Sequence, residues 1–206
     1  MVQTLPRLVT FAEFVEWKPH AGYELHDGVI VERSQPLGGH EEIIGFLVEE
    51  LVTEYKRLKL PYFIPKQALV KPPERESGYS PDVLILNRTN LAQESLWEKK
   101  STVSKSASIP LVIEVVSSNW RDDYYKKYSE YEEIGIPEYW IVDYLALGAR
   151  KFIGNGKQST ISVNSLVNDE YQVSQFKDND RILSPTFPEL NLTAKAIFQA
   201  ASEAQP

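Results

Sequence analysis

The sequence predicts an α/β fold in which a mixed central sheet is flanked by helices, with β-hairpin extensions at both ends. Three observations support this prediction. Continuous β-branched runs, typical of strands buried on both faces, occur at DVLILN, LVIEVVS and EYWIVD. Two long segments with helical periodicity lie among these strands. The 206 residues are enough to bury a large apolar core without disulfides, and this length fits one domain or two small ones, of which we expect a single domain over residues 1–206.

The N-terminal part of the chain is predicted to form two helices and a hairpin. Thr10 and Glu13 have the spacing of a capping box, so a short helix should span about residues 11–17 and end before Pro19. The strands YEL and VIVE are joined by an Asp-Gly dipeptide, which favours the tight turn of a hairpin. Apolar side chains then recur at helical spacing and predict a long amphipathic helix over residues 40–58.

The rest of the chain contributes most of the predicted sheet. YFIPKQALV, DVLILN, LVIEVVS and EYWIVD are typical of strands, and the polar stretch 88–108 predicts a long surface loop with one helical turn. Residues 120–134 have helical periodicity and are predicted to form a helix, which should end there because Gly135 and Pro137 follow. A hairpin around Asn155-Gly156, two further short strands and a C-terminal helix over about residues 194–203 complete the prediction.

The composition excludes several kinds of site. The chain has no cysteine, which rules out disulfides, Cys-ligated zinc and a thiol nucleophile, and three histidines are too few for a typical all-His metal site. Any metal would therefore be bound by oxygen atoms. No apolar run is long enough for a signal peptide or a membrane span, so we expect a cytoplasmic protein with no membrane partner.

Charge is unevenly distributed along the chain. The 22 Lys and Arg against 29 Asp and Glu give a net charge of −7, which argues weakly against unspecific binding to nucleic acid. Residues 56–105, however, hold ten basic and five acidic side chains, so this segment nets +5 and the remainder nets −12. If the protein binds an anionic partner, this basic segment is the expected contact.

Two acids occupy strands that should be buried. Glu114 lies inside LVIEVV, where an unpaired carboxylate would be strongly destabilising, so it needs a metal, a basic side chain or a shifted pKa. The alternative for Glu114 is an edge position that faces solvent. Asp82 follows Pro81 at the start of DVLILN. Taken alone, Asp82 also fits a structural role, since Asp favours such boundaries.

Lys127 lies where the helical pattern predicts a buried face. At about 100° per residue it falls in the middle of an apolar stripe on the predicted helix. The stripe consists of Trp120, Tyr124, Tyr131 and Ile134. Lys126 points away, toward Glu130 and other acids, and should be solvated. The alternative for Lys127 is a side chain that packs its methylenes on the aromatic rings and extends its ammonium to water.

Two further residues have candidate roles. His40 lies on the apolar side of the long helix, where a histidine is more often a packing residue. Glu24 lies between Tyr23 and Leu25 on the first hairpin strand, and its neighbours leave open which side of the strand it faces.

Asp82, Glu114 and Lys127 together form a stronger signal than any one of them, because all three are ionisable groups in apolar settings. Two carboxylates at the ends of adjacent strands can bind a hard divalent cation, usually Mg²⁺. A nearby amine can then orient or deprotonate a water molecule. The pattern therefore predicts a site for metal-assisted hydrolysis.

Around these residues the sequence resembles the Uma family within the PD-(D/E)XK nuclease superfamily. The resemblance covers about residues 10–195, and its longest run is LVIEVVSSNWRDDYYKKYSEYEEIGIPEYWIVD. YELHDGVIVERS, SPDVLIL and a histidine that opens a helix also match. The resemblance implies a restriction-endonuclease-like sheet flanked by helices and a site for Mg²⁺, with Mn²⁺ as a substitute. The implied metal ligands are Asp82, Glu114, Glu24 and the main-chain carbonyl of Val115.

One position departs from the superfamily pattern. The superfamily lysine stands two residues after the glutamate, where this chain has Val116. The Uma-type pattern places the lysine on the following helix instead, in a run that this chain matches with Asp123, Lys127, Tyr131 and Gly135. The resemblance therefore implies Lys127 as the catalytic lysine, and His40 either beside the scissile phosphate or behind the residues that contact it.

The first functional hypothesis is a metal-dependent DNA endonuclease. In this hypothesis Lys127 positions a Mg²⁺-activated water, and the basic segment 56–105 binds the backbone of a DNA duplex. Family analogy and the need to cut two strands imply a homodimer. The second hypothesis is an inactive nuclease fold kept for DNA binding or assembly, which the net charge of −7 favours. A third is an enzyme that acts on RNA or on a smaller phosphate ester.

Overall fold

A computed structural model describes residues 7–18 and 22–201 of the chain. The helices are α1 Phe11–Trp17, α2 Gly38–Arg57, α3 Trp97–Lys100, α4 Tyr128–Ile134, α5 Arg150–Ile153 and α6 Ala194–Ala200. The strands are β1 Tyr23–His26, β2 Val29–Glu32, β3 Tyr62–Phe63, β4 Leu69–Val70, β5 Val83–Asn87, β6 Thr102–Val103, β7 Leu111–Val115, β8 Glu138–Asp143, β9 Thr160–Val167 and β10 Glu170–Phe176. A π-helical turn, Asp122–Lys127, leads directly into α4.

Six strands form the central sheet in the order β10, β9, β8, β7, β5, β3. The neighbours β7 and β8 run parallel, and the other neighbouring pairs are antiparallel. Two small sheets lie beside it, the hairpin β1–β2 and the parallel pair β4–β6. The predicted mixed α/β sheet flanked by helices is therefore confirmed. The C-terminal hairpin, β9–β10, extends the main sheet at its edge.

The central strands separate two apolar cores because successive side chains point to opposite faces of a sheet. On β7, Ile113 and Val115 point into the core that contains side chains of α2 and α6. Val112 and Val116 point into the opposite core, against α4. Glu114 has the same parity as Val112 and Val116, so its side chain faces the π-helical turn and α4.

Two local predictions near the N-terminus are confirmed. The main-chain N–H of Thr10 donates to Oε2 of Glu13 at 2.8 Å, and that of Glu13 donates to Oγ1 of Thr10 at 3.2 Å, which completes the capping box. Helix α1 ends before Pro19, which lies outside the described residues. The β1–β2 hairpin turns at Asp27 and Gly28, both of which have positive φ angles.

Three elements differ from their predictions. Helix α2 begins two residues earlier than expected, at Gly38. YFIPKQALV forms two short strands in different sheets, β3 and β4, and Pro65 between them cannot donate a hydrogen bond to a strand ladder. The stretch 88–108 is not a plain loop, since it contains α3, β6 and two 3₁₀ turns. Its buried Glu94 accepts hydrogen bonds from the main-chain N–H groups of Ser104 and Lys105, at 3.0 Å each.

The predicted hairpin around Asn155-Gly156 is wrong. These residues follow α5, and the C-terminal hairpin turns instead at Asn168 and Asp169, whose φ angles are both positive. An Asn-Gly dipeptide indicates a turn, but it does not reveal whether strands flank that turn. Helix α6 ends at Ala200, before the predicted end of the C-terminal helix, part of which lies outside the described residues. Within the described residues, no helix has the length and apolar character that a membrane span requires.

Candidate active site

Asp82 and Val115 meet at one edge of the central sheet. Asp82 immediately precedes β5 and Val115 ends β7, and these antiparallel neighbours bring the start of one strand to the end of the other. The main-chain N–H of Val115 donates to Oδ2 of Asp82 at 2.8 Å. Nε2 of His40, in the first turn of α2, lies 3.0 Å from the carbonyl oxygen of Val115 and 3.5 Å from Oδ2 of Asp82. The Asp82 side chain is only 5% exposed, so it is not a solvated turn residue.

Lys127 lies at the centre of the buried acids. Its Nζ lies 3.1 Å from Oε1 of Glu114 and 3.4 Å from Oδ1 of Asp123. Oε1 of Glu24 lies 3.7 Å from the same nitrogen. The side chains of Lys127 and Glu114 are 3% and 1% exposed. The alternatives of a lysine that reaches water and a glutamate that faces solvent are therefore both wrong.

Glu24, whose orientation the sequence left open, points into the same cluster. Its side chain is 2% exposed, and its Oε1 accepts a hydrogen bond from the main-chain N–H of Ser80 at 2.9 Å. Its Oε2 lies 3.1 Å from Nε2 of His26, the last residue of β1. The hairpin β1–β2 thus contributes one carboxylate to a site whose other acids come from the central sheet and the π-helical turn.

The π-helical turn Asp122–Lys127 replaces part of the predicted uninterrupted α-helix. A π turn holds an additional residue, so it changes the direction in which the preceding side chains point. Asp123 is buried beside Lys127, and Glu130 is also buried, contrary to its predicted place on the solvent side. Lys126 was expected to be solvated, but it donates to the carboxylate of Asp27 on the β1–β2 turn. The π-helical turn therefore brings both Asp123 and Lys127 into the site.

Sequence analysis assigned no site role to three residues that contact the site, although it named Tyr131 in the family run. Arg33 lies just after β2, with Nη2 at 2.5 Å from Oδ1 of Asp82 and Nη1 at 2.7 Å from the carbonyl oxygen of Ser80. The hydroxyl of Tyr131 donates to Oε1 of Glu114 at 3.0 Å. His26 contacts Glu24. Tyr131 could have been found from its place one turn after Lys127 on the apolar stripe, whereas Arg33 carries no comparable signal.

The buried carboxylates outnumber the permanently charged basic side chains that contact them. The carboxylates belong to Glu24, Asp82, Glu114 and Asp123, and the basic side chains are Arg33 and Lys127. Burial raises the pKa of Glu114 well above its usual value, and the other three acids add to this rise although Lys127 opposes it. Burial also raises the pKa of Asp123 to about 6. If all four acids were ionised, Arg33 and Lys127 would neutralise only part of their charge, and the raised pKa values of Glu114 and Asp123 reflect this imbalance.

Asp82 and Glu24 are held ionised by their partners. Burial would raise the pKa of Asp82, but its hydrogen bond with His40 and the charge of Arg33 outweigh this effect and hold the pKa at about 2. Lys127 acts in the same way against the burial of Glu24, whose pKa is also about 2. Burial would lower the pKa of Lys127, but the surrounding acids raise it well above its usual value. Lys127 is therefore an ammonium ion at neutral pH.

The donor atoms at this edge have the chemistry that Mg²⁺ prefers. Asp82, Glu114 and the main-chain carbonyl of Val115 offer hard oxygen ligands, and a divalent cation would offset the negative charge that the four acids carry when all are ionised. Within residues 7–18 and 22–201, no three His, Asp or Glu side chains are arranged to hold a metal. Arg33 contacts an oxygen of Asp82, and Lys127 contacts an oxygen of Glu114. A metal ion at Asp82 would therefore lie next to the guanidinium of Arg33.

A cavity of about 110 Å³ opens directly beside Asp82. Its lining includes the side chains of Arg33, Lys66 and Gln67 together with Ser80. Lys66 and Gln67 are exposed, whereas Arg33 is half-buried because it reaches inward to Asp82. The cavity therefore offers two basic groups to an anionic ligand next to the candidate metal ligands.

Comparisons with known proteins agree with this fold. A family model described as "Uma2: Putative restriction endonuclease" matches residues 11–195. A crystal structure from Anabaena variabilis, described as "a putative nuclease belonging to DUF820", is similar with a TM-score of 0.72 and 17% sequence identity. The similarity covers 94% of this chain and 99% of that chain, and at this identity it concerns the fold alone. A search of curated proteins found no match.

Proposed function

The chain belongs to the Uma2 family, and from this premise we propose that it is a metal-dependent endonuclease that hydrolyses phosphodiester bonds in DNA. The observation that carries the proposal is the buried contact between Lys127 and Glu114, next to Asp82 at the sheet edge. Burying an ammonium ion among carboxylates is a poor way to stabilise a fold, because the desolvation penalty offsets much of the attraction. Such clusters of perturbed ionisable groups are typical of catalytic sites.

The proposed roles follow from the contacts of each residue. Asp82, Glu114 and the carbonyl of Val115 would hold Mg²⁺ or Mn²⁺, which supplies Lewis-acid activation of the phosphodiester and of the attacking water. Lys127, being protonated, would orient that water and offset negative charge developing on the phosphate, so it is not the general base. His40 would keep Asp82 and the Val115 carbonyl in place.

Glu24 is proposed as a residue that positions Lys127 more than as a direct metal ligand. Its two oxygens already contact Lys127, the main-chain N–H of Ser80 and the ring of His26. These three contacts use both oxygens of the Glu24 carboxylate. A carboxylate so placed fixes the lysine without competing for the metal.

The basic segment 56–105 contributes to the proposed DNA contact through only part of its length. Lys66 borders the cavity beside Asp82, together with Arg33 from outside the segment. Lys56 and Lys59, by contrast, lie at the opposite end of α2 from His40, about 25 Å away along the helix. We therefore assign the phosphate contacts nearest the scissile bond to Lys66 and Arg33.

Cleavage of supercoiled plasmid DNA with Mg²⁺ or Mn²⁺ tests the proposal. Lys127→Met and Glu114→Gln should each slow cleavage by on the order of 100-fold or more, because each removes a group that acts on the reacting atoms. The matched control is Lys126→Met, one residue away, whose lysine contacts Asp27 outside the site. Calorimetry should show Mg²⁺ binding to the wild type and its loss in Glu114→Gln.

Folding of these variants must be checked, because removing one partner of a buried ion pair typically destabilises a protein by about 3–5 kcal/mol. A cooperative thermal transition in each variant meets this requirement. Wild-type cleavage retained by folded Lys127→Met or Glu114→Gln would overturn the assignment.

A second candidate function is a DNA-binding or assembly module without hydrolysis. Arg33 on Asp82 and Lys127 on Glu114 favour it, since protein cations already neutralise two of the proposed metal ligands. Such a module should retard DNA in a gel and release it as salt is raised, but it should produce no new DNA ends with either metal.

A further inference from the structure

Three aromatic side chains form a partly exposed cluster close to the candidate active site. The ring of Tyr125 lies 6.3 Å from that of Trp120 and 5.1 Å from that of Phe152, and Trp120 lies 6.4 Å from Phe152, between centroids. Tyr125 is 44% exposed, and the other two are half-buried. We call these three rings the aromatic platform. Buried Tyr124 stacks on Phe152 at 4.5 Å and supports it from beneath.

Basic side chains lie against the aromatic platform. The guanidinium of Arg121 lies 4.6 Å from the centroid of Trp120. Nζ of Lys151 lies 4.5 Å from the centroid of Tyr125 and 4.7 Å from that of Phe152. Both basic residues are exposed, so they can contact phosphate groups while remaining next to the rings. Partly exposed rings beside cations form a surface suited to an aromatic ligand that carries negative charge.

The sheet topology places this surface beside the catalytic residues. Because β7 and β8 run parallel, the segments that follow them, with Trp120 and Phe152, leave the sheet at the same edge as Val115. Trp120 and Tyr125 precede Lys127 by seven and two residues, on the segment that contains the π-helical turn. The platform lies on the β8 side of the site, whereas the cavity with Arg33 and Lys66 lies on the β5 side. A nucleic acid strand that crosses the site toward β8 would therefore run toward the platform.

We propose that the aromatic platform binds an unpaired base by stacking, while Arg121 and Lys151 contact the neighbouring phosphates. The substrate class is then a nucleic acid with a single-stranded segment next to the scissile bond. The faces of bases in an intact duplex are covered by their neighbours, whereas an unpaired base offers a free face to an aromatic side chain. This inference rests on the proposed nuclease function and adds the kind of strand that the site accepts.

Binding of labelled oligonucleotides in EDTA tests this inference without cleavage. The probes are oligothymidylate of about 12 nucleotides, within the usual site sizes of single-strand binders, and a blunt duplex of the same length. Tyr125→Ala should weaken binding of the single strand by roughly 5- to 150-fold, the range for loss of one stacked base, and duplex binding by less than about twofold. Tyr125→Phe keeps the ring and should bind the single strand like the wild type.

The matched control is Trp17→Ala, which removes an aromatic side chain of similar exposure on α1. This variant should leave binding of the single strand unchanged. Equal weakening of both probes by Tyr125→Ala, or no binding of the single strand by the wild type, would overturn the inference. If the single strand binds as expected but no DNA is cleaved with Mg²⁺ or Mn²⁺, the platform stands and the proposed nuclease activity fails.

Discussion

Asp123 shows how strongly the surroundings of a single residue set its charge. It lies one helical turn before Lys127 and contacts its ammonium, an arrangement that normally lowers the pKa of an acid. Burial together with the neighbouring carboxylates nevertheless raises the pKa of Asp123 to about 6. Near neutral pH the site therefore holds an acid close to its titration point, so proton binding and metal binding should be coupled there.

Asp123 should make the metal-free protein less stable as pH rises from about 4 to about 6. Its pKa is about 6 in the folded protein against an ordinary value of 3.8, so the folded protein binds this proton more tightly than the unfolded chain does. The stability from this group is full below about pH 4 and is lost as pH rises through about 6. Asp123→Asn cannot titrate and should show a smaller decrease. Urea unfolding across this range measures it, and equal slopes in both proteins would contradict it.

Arg33 should compete with the metal for Asp82. Its guanidinium contacts Oδ1 at 2.5 Å, so replacing it with an uncharged side chain of similar length frees one oxygen and removes a repulsive charge. We expect Arg33→Met to bind Mg²⁺ about tenfold more tightly in calorimetry, near about pH 8 where Asp82 is ionised. Arg57→Met is the control, because Arg57 contacts Glu54 and Glu189 at the far end of α2. Unchanged or weaker Mg²⁺ binding by Arg33→Met would show that Arg33 does not compete.

At the scale of elements, β7 and β8 each carry a fully buried glutamate, but the two have different surroundings. Glu114 on β7 faces the π-helical turn and meets an ammonium ion. Glu138 on β8 instead accepts hydrogen bonds from Nε1 of Trp140, the hydroxyl of Ser184 and the main-chain N–H of Thr186, at 2.5, 3.0 and 2.8 Å. Glu138 thus ties the segment before α6 to the sheet, and we infer a structural role for it.

Glu138→Ala should lower the free energy of unfolding by about 3 kcal/mol or more, because it leaves three donors without their acceptor and creates a cavity. Glu133→Ala is the comparison, since this exposed acid of α4 pairs with Arg75 on the surface and should contribute less than about 1 kcal/mol. Chemical denaturation of both variants provides the measurement. A cost for Glu138→Ala below that of Glu133→Ala would contradict the structural role.

At the scale of the whole molecule, net charge and oligomeric state bear on which substrate the proposed nuclease would cut. The net charge of −7 opposes unspecific DNA binding, so the basic groups beside the site must act locally. Cutting both strands of a duplex at one place needs two active centres, which a two-fold symmetric dimer supplies. A single active centre next to the aromatic platform would cut only one strand, so it would not need a second centre.

We expect a homodimer in solution, with a mass by light scattering of twice the 23.5 kDa of one chain. This expectation applies to cleavage of both strands of a duplex, where two centres related by a two-fold axis can act together, whereas a single-stranded segment needs only one centre. Measurement at several protein concentrations, with and without DNA, separates a stable dimer from one that DNA assembles. A monomer under all of these conditions would contradict the dimer and would favour cleavage of one strand.

The local pattern of the chain was sufficient for the helix α1 with its capping box, the β1–β2 hairpin and the buried central strands. It also identified Asp82, Glu114 and Lys127 as ionisable residues in apolar settings. These features depend on residues close together in sequence, where turn preferences and apolar periodicity act. The local pattern did not predict the π-helical turn or the true position of the C-terminal hairpin, because tertiary packing selects among local conformations that the same residues permit.

Glu114 and Glu138 show what local sequence patterns cannot predict about a buried residue. Both are acids in buried strands, so periodicity treats them alike, yet one meets Lys127 and the other meets uncharged donors. The contact of Arg33 with Asp82 likewise joins residues 49 positions apart. Partners at such separations depend on how strands and helices pack in three dimensions. A one-dimensional pattern shows that a residue is buried, but the packing of the fold selects the atoms that surround it.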